Sequence, residues 1–112
     1  MKTLRILLFA IALLLISGPA PGLADTTADG SISVTGTAAG FTTVPYGTKS
    51  ALITVEGGAV RVGLSTAPTG TTGVLLNIGD AMTINGNTDV NNFSVILNSG
   101  ESSATVRYIL FD

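Results

Sequence analysis

Two carboxylates and a run of amides are the residues whose type and spacing could do chemistry. Asp80 and Asp89 could act as the acid and base of a glycosidase, which holds its two carboxyl groups roughly 5 to 9.5 Å apart across a sugar. Both stand among turn residues, in Gly79-Asp80 and in NGNTDVNN, where Asp is common because its side chain bonds the local backbone. The chain has no His and no Cys, which removes imidazole bases, thiol nucleophiles and the usual zinc ligands. The expectation is a protein that is not an enzyme and needs no cofactor.

The amides are Asn85, Asn87 and Asn91, alternating with Asp89. Residues two apart in an extended segment project to one side, so these four would present oxygens together, as a calcium site does. Calcium takes six to eight oxygens and usually several carboxylates, and this series holds one. A solvated Asx-rich loop accounts for it better, and no metal is expected. Asn92-Phe93-Ser94 is a glycosylation sequon, relevant only in a eukaryotic secretory pathway.

Sugar binding without catalysis is a second kind of chemistry. Carbohydrate modules stack sugar rings on exposed aromatic rings. There is no Trp, and Phe93, Tyr108 and Phe111 fall in strand patterns that point to a core. Tyr46, between Pro45 and Gly47, is the aromatic free to face a ligand. Thr66, Thr69, Thr71 and Thr72 in GLSTAPTGTTG add a neutral, hydrogen-bonding rim.

The elements that would carry these residues begin after an export signal. MKTLR is basic, Ile6 to Ile16 is an unbroken apolar run, and SGPAPGLA supplies helix breakers and small residues. That is the pattern of a cleavable signal peptide over residues 1–24, and its apolar run is too short to span a bilayer. A secreted or periplasmic protein is expected, with no membrane span after cleavage. Beyond it, Lys49, Arg61 and Arg107 stand against all seven acidic side chains, a net charge of −4. Three scattered cations make no footprint for nucleic acid or anionic lipid. Without Cys, an exported domain must be held by its core, an ion or its neighbours.

Residues 25–30 (DTTADG) read as a flexible N-terminus, and 31–112 as short alternating strands broken by turns, the mark of an all-β sandwich. SISVTGT turns Ile32 and Val34 inward, and FTTVPYG is an edge piece limited by Pro45. SALITVE turns Ala51, Ile53 and Val55 inward. Gly57-Gly58 predicts a two-residue hairpin to AVRVGLS. GVLLNIG and DAMTI form a second pair about Gly79-Asp80. FSVIL places Phe93, Val95 and Leu97 on one face. SATVRYILFD puts Ala104, Val106, Tyr108 and Leu110 on one face, with Ile109 and Phe111 adding apolar bulk to the other. Its end should therefore be central, sealed by another element, or in contact with another subunit. The fold expected is a single antiparallel β-sandwich or jelly-roll-like domain of seven to eight strands, without a helix after the signal peptide.

From Ser50 to Tyr108 the order ALITVEGGAVRVGL, APTGTTGVLLNIGDAMTI, VNNFSVIL and SATVRY resembles a small β-sandwich domain of tailed-phage virion proteins, of the decoration, head-fibre or tail-accessory type. The resemblance implies a non-catalytic structural or attachment role, commonly in an oligomer, with a virion or cell-surface component as partner. Virion proteins assemble in the host cytoplasm without an export signal. The signal peptide therefore favours an exported relative that uses the same sandwich for assembly or adhesion. Assembly, through Ile109 and Phe111, is the leading expectation; a glycan- or cell-surface-binding module using Tyr46 and the Thr-rich loop is the alternative.

Overall fold

The computed structural model describes residues 25–112. The signal peptide expected over 1–24 lies outside the described residues. Seven strands are formed: β1 (Thr26–Val34), β2 (Ser50–Glu56), β3 (Val60–Gly63), β4 (Val74–Leu76), β5 (Ala81–Asn85), β6 (Ser94–Leu97) and β7 (Ala104–Phe111). One short helix, α1 (Asn87–Asn92), joins β5 to β6. The strands make two antiparallel sheets, ordered β1-β7-β2-β5 and β4-β3-β6.

The pairing is nested. β1 lies against β7, β2 against β5, and β3 against β4. Residues 35–39 run beside β6, through the Ala39–Val95 bridge and a 3.0 Å bond from the Leu97 N–H to the Thr35 carbonyl. First pairs with last and each next segment with the one before, as in a single long hairpin. The β2–β7 and β3–β6 ladders roll that hairpin into two layers. This is jelly-roll connectivity, with the second of its eight strands reduced to the 35–39 segment.

The core is what strand alternation dictates. Ile32 and Val34, Ala51, Ile53 and Val55, and Ala104, Val106 and Leu110 are buried from the four-stranded sheet. Val60, Val62, Leu76 and Val95 meet them from the other. β-Branched side chains dominate, fitting a pleated surface packed on one side. Phe41, from the long connection before β2, stacks on Phe93 with ring centroids 4.5 Å apart, and lies 4.7 Å from the Tyr108 ring. Those three rings close the space between the sheets where regular strand structure stops.

Several sequence expectations are corrected. Residues 25–30 are not a loose end: β1 starts at Thr26 and is paired to β7 along its length, with a bulge between Thr26 and Ala28. Main-chain hydrogen bonds hold this strand, so its polar sequence concealed it. Gly57-Gly58 does not make a hairpin, since β2 and β3 lie in different sheets. Only Gly57 has positive φ, at 81°, and a type I′ turn needs it at both positions. β4 and β5 likewise part at Gly79-Asp80 into opposite sheets. FTTVPYG forms no strand, and the polar run after Gly86 is helix α1.

Candidate functional site

Tyr46 stands on a turn that its neighbours impose. The Thr48 N–H donates to the Pro45 carbonyl at 3.2 Å. Gly47 has φ of 88°, so Pro45-Tyr46-Gly47-Thr48 closes with Gly at the position that needs positive φ. Tyr46 occupies the outer corner and is wholly exposed, at 105% of its reference area. Beneath it Thr48 is fully buried, its Oγ1 2.9 Å from Thr27 Oγ1 on β1. The turn is thus fixed while its ring is free. Thr48→Val should remove that bond at a cost of about 1 kcal/mol, read as a Tm lower by roughly 4–8 °C. An unmoved Tm would show that the hydroxyl pair does not anchor the turn.

Helix α1 forms the facing wall. Val90 is buried and holds it to the core. Asn87 and Asn91, one turn apart, share a face. Asn87 Nδ2 donates to the Thr48 carbonyl at 2.7 Å, and Asn91 Nδ2 to the Asn87 carbonyl at 2.8 Å. Tyr46, Lys49, Asn87 and Asn91, with Val44 and Pro45 below, line a cavity of about 500 Å³. Two features that sequence spacing treated as separate, the Tyr46 turn and the Asn series, therefore meet in one cleft. Lys49 was not singled out, although its place three residues after Tyr46 was the available signal.

Other expected residues are not brought together. The calcium quartet dissolves, because a helix sends positions two apart to different faces. Asn85 ends β5 on the outer side of its sheet, opposite Ser50, and Asp89 lies in the first turn of α1. Among the described residues no cluster of three or more His, Cys, Asp or Glu could hold a metal ion. Asp80 precedes β5, and its Oδ2 accepts from the Asn77 N–H at 2.8 Å. Asp89 follows β5, in the helix beyond its other end. Thr66, Thr69, Thr71 and Thr72 are exposed and take no part in the Tyr46 cleft. Thr69 and Thr72 bond each other, Oγ1 to Oγ1 at 2.7 Å, and Thr69 Oγ1 accepts the Thr72 N–H at 3.1 Å. Their hydroxyls hold the loop closed.

The second candidate surface is the outer face of the four-stranded sheet. β7 runs in its interior, between β1 and β2. Ile109 lies directly opposite Leu52 on one side and Asp29 on the other. Ile109 is 36% exposed, while Phe111, on the same face, is half-buried. A cavity of about 400 Å³ opens there between Leu52, Ile109, Asp29, Thr54 and Arg107. Arg107 Nε donates to Glu56 Oε2 at 3.0 Å. No family model, curated protein or solved structure matches the chain. The site must therefore be read from its own chemistry. Leu52 is the residue sequence reasoning passed over: it is the apolar member of the outward set of SALITVE, and that breach of alternation marked it. Val74, Leu75 and Ile78 make a further uncovered strip on β4, the free edge of the smaller sheet, and the turn after it.

Proposed function

We propose that the protein is an exported, non-catalytic assembly module that associates with copies of itself through the outer face of its four-stranded sheet. One observation carries the reading: Ile109, 36% exposed, and the half-buried Leu52 form an apolar cross-strand pair in the middle of that face. A solvated sheet face ordinarily alternates to polar residues, and apolar groups left in water at its centre gain free energy when covered. Asp29, Glu56 and Arg107 surround the pair with both signs of charge. A two-fold contact between identical faces can set Asp29 of one copy against Arg107 of the other. The resemblance to virion accessory domains agrees with such a role, and the signal-peptide pattern of residues 1–24 supports an exported one.

Light scattering on the purified protein over a hundredfold range of concentration tests the proposal. A discrete oligomer, or a mass that rises with concentration, is the expected result. A monomer persisting to millimolar concentration would sink it.

A further inference from the structure

We infer that the cleft between the Tyr46 turn and helix α1 is a second, separate binding site, and that its ligand is a saccharide bearing a carboxylate. A pyranose ring has one face of C–H bonds and a rim of hydroxyl groups. Tyr46 presents a fully exposed ring on a fixed turn, an amphipathic anchor with only two side-chain torsions to order when such a face packs on it. Phe41, Phe93 and Tyr108 are engaged with one another in the interior, so no second platform competes among those rings.

The polar groups match the rim. Asn87 and Asn91 each donate one amide hydrogen bond within the protein. Each keeps an Oδ1 acceptor and a second N–H, and a hydroxyl group can use both. Among the described residues, Lys49 is the one charged side chain lining the cleft, which selects a carboxylate over a neutral or cationic substituent. About 500 Å³ lies within the range of small-molecule sites. Other ligand classes fit less well. A single lysine is a poor phosphate cradle, and Val44 with Pro45 offers too little apolar depth for a peptide side chain.

A glycan array carrying matched neutral and uronate-bearing oligosaccharides, followed by calorimetry on the best ligand, tests the inference. Binding to uronate-bearing members is expected, weakening as salt is raised. Tyr46→Ala should lower affinity tenfold or more with an unchanged Tm, since the ring packs on nothing. Lys49→Gln should remove the preference for acidic members while leaving residual affinity for their neutral counterparts. Failure to bind any array member at millimolar concentration overturns the site, and so does binding that survives Tyr46→Ala. Equal affinity for neutral and acidic members, unaltered by Lys49→Gln, overturns the carboxylate assignment. None of these readings depends on self-association.

Discussion

Phe93→Ala is expected to cost about 3–5 kcal/mol, a large part of the roughly 5–10 kcal/mol that a domain of this size holds in total. Phe93 is 2% exposed and sits where helix α1 ends and β6 begins. Its ring lies nearly parallel to that of Phe41, at 17°, and through Phe41 it fastens the long connection between β1 and β2 to the core. The substitution removes buried area and the aromatic pair together, the pair adding about 0.5–1.5 kcal/mol beyond area alone. The backbones also approach closely there, the Phe93 carbonyl lying 2.5 Å from where a Cβ on Gly40 would stand. Urea denaturation reads the result: the midpoint should fall by about half with the slope unchanged. Phe93→Leu, which fills most of the volume, should cost less than about 1.5 kcal/mol. A loss below about 1 kcal/mol for Phe93→Ala would show that the aromatic closure is not what holds that end of the roll.

The strands were legible because burial on one face imposes a period of two that nothing else in the chain imitates. Ile53, Val55, Val106 and Leu110 are buried as their alternation requires. Strand partners were not legible, for a definite reason. Val55 before Gly57-Gly58 and Val60 after it both point inward. A hairpin within one sheet and a crossing to the facing sheet satisfy that condition equally. The turn residues mark where the chain changes direction and say nothing of which sheet it enters. Long-range pairing decides it: β2 finds β7 and β5, and β3 finds β6 and β4.

Helix α1 was concealed more deeply. NTDVNN is built from weak helix formers, and six residues cannot sustain a helix alone. Val90, buried beside β5 and β2, together with the Asn87 bond to the Thr48 carbonyl, holds it in place. Tertiary docking thus turns an Asx-rich stretch that reads as a loop into one wall of the candidate cleft. Tyr46 could be singled out from its turn chemistry alone, whereas its companions depend on this docking. Ile109 was legible as an outward apolar residue, yet only the position of β7 inside the sheet places it at the centre of a face.

That central position makes Ile109→Lys the sharpest test of assembly. In the isolated domain the change should be mild. Ile109 is partly exposed, its Cα partner on β1 is Asp29, and a lysine there makes an opposite-charge cross-strand pair worth about 0.2–1 kcal/mol. In a two-fold contact the same change brings two like charges together in the apolar centre of the interface, where desolvating each costs several kcal/mol. The variant should therefore keep its Tm within a few degrees while its association weakens by at least a hundredfold, read as a monomeric mass at concentrations where the parent is assembled. The uncovered Val74, Leu75 and Ile78 strip on β4 gives the contrary outcome a clear meaning. If Ile109→Lys remains assembled and Leu75→Lys does not, copies meet through the free edge of the smaller sheet, where exposed main-chain groups invite strand pairing, and the face centred on Leu52 and Ile109 is not the interface.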